Sequence, residues 1–575
     1  MKGFKKKYWL CSLLLTGSFY LFKQGLAQAA PSVLVPPSPF KGLNGLNFDA
    51  QGQLYVGSVL DQKIYQVNVE TGEYQTFIDR PFGQADDLFF TPSGQIFYTA
   101  LFSGEVRTLD SVTGNFKTIA NGIPAVNPIA QNASGRIFVG QSLSLQNTGL
   151  YEIDPTGLTP PRLILNQPGL NAFEFGSDGL LYSPLQFTGE IVKINVDTGA
   201  TQKVASGLVS PTAVKFNSKG ELFALDAATG QVVQINTTNG QTRSVAQLQP
   251  GLDNLAFSPN DLLYASNYVD SDINEVNTQT GTVRKVVQSG GLAIPGGIAV
   301  YGNSLYVADT FSYRVLDRET GAIQETARII ATPVQTPLTV SVNDQNAIVS
   351  SWFSGVVQRL NRETGDVLDT YTGFSVPYDA IELSDGSILV ADCANGQLTQ
   401  ILDKTGSNRR IVASGLLCPT GLARVSDESV LVTEFLGNQL SRVNLTTGER
   451  QVVATNLSSP EGIAYSPDGI AVVALTGTQS LRAIDINTGN GVTLLSNLPI
   501  GLQGFSGGPP PFTLTGVAIS GDTVYVSGDI DNSIRTIKLS SKIFSIPEAS
   551  SPLSLLALSI LSIIYKLHSA KTKAG

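Results

Sequence analysis

The chain has 575 residues, of which 42% are hydrophobic and only 14% are charged; this excludes an intrinsically disordered protein and favours a β-rich globular one. The formal net charge is −9. Residues 1–29 contribute +5, from five lysines, and residues 545–575 contribute +2, so the rest of the chain carries a net charge of −16. An acidic body that has no cluster of Lys or Arg argues against nucleic acid as a partner.

The N-terminal segment, residues 1–29, has the composition of an export signal. Four lysines near the start precede a mostly apolar stretch over residues 8–22, and Ala27-Gln28-Ala29 is a small-x-small cleavage site. The alternative is a membrane anchor, but the apolar stretch is short for a span of about 20 residues. We therefore predict a signal peptide and a periplasmic, outer-surface or extracellular protein that contacts the membrane only transiently.

A Thr-Gly turn then recurs at intervals of 40 to 44 residues, with Asn239-Gly240 replacing it once and a truncated unit over residues 516–539 following the last turn. The turns are Thr71-Gly72, Thr113-Gly114, Thr156-Gly157, Thr198-Gly199, Thr280-Gly281, Thr320-Gly321, Thr364-Gly365, Thr405-Gly406, Thr447-Gly448 and Thr488-Gly489. A period near forty residues that contains short alternating strands is typical of a β-propeller with one blade per repeat. Each repeat has room for four such strands.

Twelve blades are too many for one ring, because common propellers have about four to eight. We predict an all-β fold of two tandem six-bladed β-propellers with four-stranded blades, over residues 42–289 and 291–541. Five plus seven blades is the alternative. A strand at residues 32–35 is a further candidate for closing a ring, which would shift the boundary by one strand.

The residue that opens each innermost strand of a propeller faces the central channel. In the first ring five of these six residues are Asn or Asp, the sixth being Thr212: Asn44, Asp86, Asn127, Asn171 and Asp253. Calcium takes six to eight oxygen ligands, so these residues are candidate ligands for Ca²⁺. The alternative is that the Asx side chains cap strand-entry turns by accepting from nearby backbone N–H groups.

The second ring has two carboxylates, Asp379 and Glu461, at the corresponding positions, and they are weak candidates for a catalytic acid–base pair. The alternative is a neutral channel mouth, because the other four positions are three threonines and a glycine. The only histidine, His568, lies in the C-terminal tail. Histidine-based nucleophilic catalysis and His-ligated zinc or iron sites are therefore excluded from the propellers.

Aromatic residues recur just past the second strand of several repeats. They are candidate ligand-binding residues for a flat or aromatic molecule, the alternative being packing between blades: Phe102, Phe187, Trp352, Phe353 and Phe435. The longest interruption between blades, residues 502–514, falls on the same face and either covers the second ring or is a plain surface loop. Cys393 and Cys418 are predicted on one face of neighbouring blades, either as a disulfide or as buried thiols.

The chain shows two family resemblances. The repeats, with Leu-Tyr-Val-Ala-Asp at 305–309 and Ile-Leu-Val-Ala-Asp at 388–392, resemble NHL and SMP-30/gluconolactonase-like six-bladed propellers. The segment Ile546-Pro547-Glu548-Ala549, followed by an apolar stretch and basic residues, resembles a PEP-CTERM sorting tail over residues 545–575, although Ala549 replaces the second proline. Cyanobacterial proteins that combine these features include accessory proteins of scytonemin pigment biosynthesis.

These observations leave three functional hypotheses. The first is a binding scaffold for an unknown small molecule or protein at the channel faces, which the absence of a concentrated catalytic set favours. The SMP-30 resemblance implies the second, a Ca²⁺-dependent lactonase or esterase in the first ring, where Asn44-Gly45 matches the family's ligand pattern but its leading Glu is missing. The third is an accessory role in extracellular scytonemin-type pigment biosynthesis.

Overall fold

The computed structural model describes residues 31–110, 113–141, 148–287, 289–505 and 508–539. The predicted signal peptide (1–29) and sorting tail (545–575) lie outside the described residues. Ala30–Ile537 form one compact unit that contains both propellers. Within the described ranges, no helix has both the length and the apolar character needed to cross a membrane.

The first repeat shows why this sequence forms a blade. Its second strand, Leu54–Ser58, is buried along its whole length, whereas the outermost strand, Tyr74–Ile78, is mostly exposed. The turn between the third and fourth strands is held by Asn68, whose Oδ1 accepts from the N–H groups of Glu70 (3.0 Å) and Thr71 (3.1 Å). The turn then requires a left-handed residue, and Gly72 supplies it with a φ of 74°.

Each blade of the first ring is one antiparallel sheet whose strands pair in chain order. Blades 1 to 6 contain the following strands: β2 (Leu43–Phe48), β3 (Leu54–Ser58), β4 (Lys63–Val67) and β5 (Tyr74–Ile78); β6 (Ala85–Phe90), β7 (Ile96–Ala100), β8 (Glu105–Leu109) and β9 (Phe116–Ala120); β10 (Val126–Gln131), β11 (Ile137–Gln141), β12 (Gly149–Ile153) and β13 (Arg162–Leu165); β14 (Glu174–Phe175), β15 (Leu181–Leu185), β16 (Glu190–Ile194) and β17 (Thr201–Ser206); β18 (Pro211–Phe216), β19 (Leu222–Asp226), β20 (Gln231–Ile235) and β21 (Thr242–Gln247); β22 (Leu252–Phe257), β23 (Leu263–Asn267), β24 (Asp272–Val276) and β25 (Val283–Lys285).

The second ring repeats this plan, except that the N-terminal strand β1 (Ser32–Val35) supplies the outer strand of its last blade. Blades 7 to 12 contain the following strands: β26 (Ile298–Tyr301), β27 (Ser304–Asp309), β28 (Ser312–Asp317) and β29 (Ile323–Arg328); β30 (Thr339–Val342), β31 (Asn346–Ser351), β32 (Val356–Asn361) and β33 (Val367–Tyr371); β34 (Pro377–Glu382), β35 (Ile388–Asp392), β36 (Gln397–Ile401) and β37 (Arg409–Ser414); β38 (Pro419–Ser426), β39 (Ser429–Glu434), β40 (Gln439–Asn444) and β41 (Arg450–Ala454); β42 (Pro460–Ser466), β43 (Ile470–Leu475), a 3₁₀ turn (Thr476–Thr478), β44 (Ser480–Asp485) and β45 (Gly491–Leu495); β46 (Val517–Ser520), β47 (Thr523–Gly528) and β48 (Ser533–Lys538).

Both rings close through their innermost strands. β2 of blade 1 packs beside β22 of blade 6, and β26 of blade 7 packs beside β46 of blade 12. The twelve four-stranded sheets therefore form two six-bladed rings, and the predicted fold class is confirmed. The pairing of β1 with β48 also confirms that the segment preceding the first blade closes a ring.

Two kinds of contact join neighbouring blades. Apolar side chains of adjacent sheets interdigitate, as Tyr55 and Ile64 of blade 1 do with Leu88 and Ile96 of blade 2. In addition, a hydroxyl on the second strand of one blade donates to an inner-strand carbonyl of the next blade. These bonds run from Thr99 to Asn127 (2.6 Å), Ser266 to Asn44 (2.5 Å), Ser350 to Tyr378 (2.8 Å), Thr433 to Glu461 (2.5 Å) and Ser527 to Gly296 (2.7 Å).

The two rings contact each other through loops at the ends of their second strands. Tyr268 of blade 6 packs edge-on against Phe311 of blade 7, with ring centroids 5.1 Å apart. Arg314 of blade 7, only 1% exposed, donates to Asp309 of its own blade (2.7 Å) and to the Val269 carbonyl (2.7 Å) of blade 6. These loops lie at the end of each ring where the inner strands begin, so the channel faces of the two rings meet at this contact.

Candidate functional site

The mouth of the first ring brings three of the five predicted calcium ligands together. The Asn44 side chain hydrogen-bonds Asp253, and Asp86 lies close enough to Asp253 for the two carboxylates to repel each other. Burial, followed by the charge of Asp87, raises the pKa of Asp253 to about 8, and burial and the neighbouring carboxylates raise the pKa of Asp86 as well. Oδ2 of Asp86 is buried without a hydrogen-bond partner.

The structure shows other contacts for the remaining two predicted ligands, Asn127 and Asn171. Asn171 uses its side chain locally, because its Oδ1 accepts from the N–H of Ala172 (2.8 Å) and its Nδ2 donates to Gln186 (3.2 Å). This is the turn-capping role that was the alternative expectation. Asn127 is 4% exposed, and its carbonyl accepts the bond from Thr99 that joins blades 2 and 3.

The residues brought together meet calcium's requirements only in part. Asp86, Asp253 and Asn44 supply at most five oxygen atoms, fewer than the six to eight that Ca²⁺ takes, so water or a substrate would have to complete the shell. Over the described ranges, no group of three or more His, Cys, Asp or Glu side chains is arranged to hold a metal ion. The unpartnered oxygen of Asp86 is the one feature of the mouth that favours a cation.

The sequence did not predict a second pair of buried polar residues, which directly follow Asp86 and Asp253 on their inner strands. Asp87 of blade 2 accepts from Nδ2 of Asn254 of blade 6 (2.9 Å), and both residues are 1% exposed. Blade 1 lies between blades 2 and 6, and its inner strand approaches Asp87 closely at Gly45. A Cβ on Gly45 would lie 2.5 Å from the Cα of Asp87. The pairing of each of these inner strands shifts register at this point, and such β-bulges interrupt the simple in–out alternation used to predict channel-facing positions.

The predicted acid–base candidates of the second ring both hold the backbone of the next blade. Asp379 accepts from the N–H of Leu422 (2.8 Å) and of Ala380 (2.9 Å), and burial raises its pKa to about 7. Glu461 accepts from the N–H of Thr515 (2.8 Å) and the hydroxyl of Thr476 (2.8 Å). Burial, followed by the charge of Asp529, raises the pKa of Glu461 to about 8.

Carboxylates at three second-strand ends are also structural. Asp392 accepts from the N–H groups of Ser375 and Val376, both at 3.0 Å. Asp309 does the same for Ala293 and Ile294, and Glu434 for Leu417. These residues tie the preceding loop to the blade, so they are not available as catalytic groups.

The described residues of the 502–514 loop, 502–505 and 508–514, cover part of the mouth of the second ring. Nε1 of Trp352 donates to the Phe512 carbonyl (2.7 Å), and the Tyr378 hydroxyl donates to the Pro511 carbonyl. Between the loop and the ring lies a cavity of about 370 Å³. Its apolar wall contains Phe435, Phe505, Phe512 and the prolines 509–511, and its polar wall contains Glu461, Thr476 and Ser459.

The five predicted aromatic residues divide into two groups. Phe435 lines this cavity, Trp352 binds the loop above it, and Phe102 of the first ring stacks on Phe505 of the loop with ring centroids 3.9 Å apart. Phe187 and Phe353 are instead 53% and 59% exposed. Because Phe102 belongs to the first ring and Trp352 to the second, the loop is held from both sides.

Cys393 and Cys418 form a disulfide that joins the second-strand end of blade 9 to the loop before blade 10. It closes a chain segment with a sequence separation of 25 residues, for which the loop-entropy model gives a stabilisation of about 3 kcal/mol. We expect Cys393→Ser to lower the free energy of unfolding by about this amount in urea denaturation. Reduced wild-type protein is the control and should match the variant; unchanged stability on reduction would contradict the prediction.

Two of the solved structures that are similar to this chain match about half of it. One, described as a streptogramin B lyase structure, is 17% identical, covers 48% of this chain and 94% of its own, and has a TM-score of 0.36. The other, a virginiamycin B lyase from Staphylococcus aureus, is 14% identical, covers 49% and 96%, and has a TM-score of 0.32. No family model and no curated protein matches the chain. The fold assignment therefore stands on the blade topology, and no activity is transferred from these proteins.

Proposed function

We propose that this protein is an exported binding protein that takes a small aromatic molecule in the cavity beneath the 502–514 loop. The observation that supports this most is the composition of the cavity wall, which contains three phenylalanines and a single buried carboxyl group. A preformed concave site with mostly apolar walls and a few convergent polar groups is the usual form of a small-molecule site. A volume of about 370 Å³ suits a ligand of one or two rings.

Glu461 supplies the polar recognition in this proposal. Its carboxyl group already has one protein donor at each oxygen, and its raised pKa keeps it protonated near neutral pH. A neutral carboxyl group has both an O–H donor and free acceptor capacity. The ligand we propose is therefore a flat ring that bears a hydroxyl or N–H group, rather than a carboxylate.

Binding is favoured over catalysis because the candidate acid–base residues of the second ring are already engaged. Asp379 and Glu461 lie on different blades, with blade 10 between them, and each holds the backbone of its neighbour. Export is a proposal that rests on the sequence of residues 1–29 and 545–575. A role in extracellular aromatic pigment biosynthesis is compatible with such a ligand and stays a prediction.

Titration calorimetry with p-cresol, a one-ring phenol, tests the proposal. We expect saturable binding at one site, and we expect Phe512→Ala to weaken it about tenfold or more, because one aromatic wall contact is worth roughly 0.5–1.5 kcal/mol beyond its buried area. Phe353→Ala is the matched control, since this phenylalanine is 59% exposed and does not line the cavity, so its loss should leave the affinity unchanged. No binding by wild-type protein, or equal affinity in the Phe512 variant, would contradict the proposal.

The unpartnered oxygen of Asp86 favours a second candidate function, metal-dependent hydrolysis of a lactone or ester at the mouth of the first ring. Elemental analysis of purified protein tests it: this candidate requires bound calcium that Asp86→Asn reduces, together with turnover in a lactone screen. Calcium-free protein without turnover would eliminate the candidate and leave the second-ring proposal untouched.

A further inference from the structure

A second and larger cavity, of about 750 Å³, lies where the two rings meet the N-terminal linker. Blade 1 contributes residues of β4 and β5, Asp61 before β4, and Asp79 and Arg80 after β5. The linker contributes residues 37–39 and 41, and blades 11 and 12 contribute Gln479 and Ile530. Ligand sites occur preferentially at such junctions between domains. The cavity is distinct from the one in the proposed function, although both touch residues 501–503.

The floor of this cavity is a buried group of charged and polar residues around Asp61. Arg80 donates to Asp61 Oδ1 (2.9 Å), Lys41 lies 3.7 Å from the same oxygen, and the Tyr65 hydroxyl donates to Oδ2. Lys41 is 3% exposed and Asp61 is 6% exposed. Because the carboxylate has three partners, the floor is polar and rigid. Two cations share this one carboxylate, but over the whole lining three cationic side chains are balanced by three carboxylates.

The rim repeats this pattern of paired charges. Lys63 lies 3.4 Å from Asp79, and Asp531 is paired with Arg535 at 2.6 Å. Among the described lining residues, every charged side chain therefore has a partner of opposite sign. Gln479, Gln503 and Thr76 add uncharged donors and acceptors. A charged ligand would have to disrupt existing ion pairs, whereas a neutral ligand rich in hydroxyl groups can use the remaining donors and acceptors.

Tyr74 gives the cavity one aromatic wall. It is 47% exposed although it packs on Phe40, with centroids 5.2 Å apart, and on Tyr65, with centroids 6.0 Å apart. These contacts fix the ring while leaving part of it open to the cavity. A pyranose ring presents an apolar C–H face and hydroxyl edges, so its apolar face can stack on the open face of Tyr74. Its hydroxyl groups can then bond the amide, carboxylate and guanidinium groups that line the same cavity.

We infer that this junction cavity binds a neutral oligosaccharide of a few sugar units, with one ring stacked on Tyr74 and hydroxyl groups contacting Asp79, Arg80, Gln479 and Gln503. The ligand class follows from the paired charges, the uncharged donors and acceptors, and the single aromatic wall. The inference is independent of the proposed function, since Phe512 and Glu461 line only the smaller cavity.

The test is titration calorimetry of the full chain with neutral trisaccharides: maltotriose, cellotriose and N,N′,N″-triacetylchitotriose. Trigalacturonate and the deacetylated, cationic glucosamine trimer serve as charged counterparts. We expect at least one neutral trisaccharide to bind, and we expect Tyr74→Ala to weaken its affinity at least tenfold. Tyr301→Ala is the matched control, because Tyr301 is similarly exposed at 41% but does not line the cavity.

Two further variants test the site independently of Tyr74 and separate it from the smaller cavity. Gln479→Ala removes an exposed rim amide that makes a long hydrogen bond to the Ile500 carbonyl (3.4 Å), and we expect it to weaken binding of the same trisaccharide. Phe512→Ala should leave saccharide binding unchanged, which separates this site from the aromatic one. The inference is overturned if no neutral trisaccharide binds at millimolar concentration, if a charged trimer binds more tightly, or if Tyr74→Ala and Gln479→Ala both bind as the wild type does.

Discussion

Replacing Arg314 with methionine is expected to lower the free energy of unfolding by about 3–5 kcal/mol, more than any other single substitution considered for this protein. Arg314 is 1% exposed and Asp309 is fully buried, so the ion pair between them is shielded from water. The same guanidinium also lies 3.2 Å from Asp270 of the first ring. Methionine preserves much of the side-chain volume, but it removes the positive charge that pairs with Asp309 and Asp270.

The consequence of this substitution extends beyond one blade. Asp309 also accepts from the N–H groups of Ala293 and Ile294, so it fixes the segment that connects the two rings. Urea denaturation followed by fluorescence measures the loss of stability. Arg424→Met is the control, because its pair with Asp427 is largely exposed and is worth no more than about 1 kcal/mol. Equal stability of the two variants would contradict a stabilising role for this contact between the rings.

Glu461 is expected to make the stability of the protein depend strongly on pH. It keeps its proton in the native state up to a pKa of about 8, whereas the unfolded chain loses it near the ordinary value of 4.5. Between these values the native state binds one more proton than the unfolded state, so this group makes stability fall as pH rises, by about 1.4 kcal/mol per pH unit at most. We expect Glu461→Gln to remove that contribution between about pH 5 and 8.

Urea denaturation of wild type and Glu461→Gln at several pH values measures this difference. Glutamine suits the site because its oxygen can accept from the N–H of Thr515. Its amide group can donate to the Thr476 hydroxyl oxygen, because that hydroxyl can turn its own proton to the Ser459 carbonyl, 3.0 Å away. Glu449→Gln, at an exposed hairpin position, serves as the control and should leave the slope unchanged. Parallel stability curves for wild type and Glu461→Gln would show that Glu461 is ionised in the native protein.

The architecture was predictable because its signals are local. The Thr-Gly turns need a left-handed residue at one position in each repeat, and Gly72 and its counterparts meet this need, so the period of the blades can be read directly from the sequence. Four alternating strands per period then define a propeller. That residues 32–35 could close a ring was predicted from the sequence, and the structure shows that they complete the last blade of the second ring.

The details of the candidate sites were not predictable, because they depend on features without a local signal. The bulges in the inner strands place Asp87 and Asn254 in contact, whereas simple alternation pointed to Asp86 and Asp253. The stacking of Phe102 on Phe505 depends on how two rings pack, and these residues are 403 positions apart. Both cavities arise from such long-range contacts.

The fluorescence emission of Trp352 reports on whether a small aromatic ligand binds beneath the 502–514 loop. Trp352 donates to the carbonyl of Phe512, and the only other tryptophan is Trp9, so Trp9→Phe makes Trp352 the sole reporter. We predict a saturable change in this emission on addition of p-cresol, at the affinity measured by calorimetry, and we predict that Phe512→Ala weakens it. Calorimetric binding that leaves Trp352 emission unchanged would place the ligand elsewhere and contradict the proposed site.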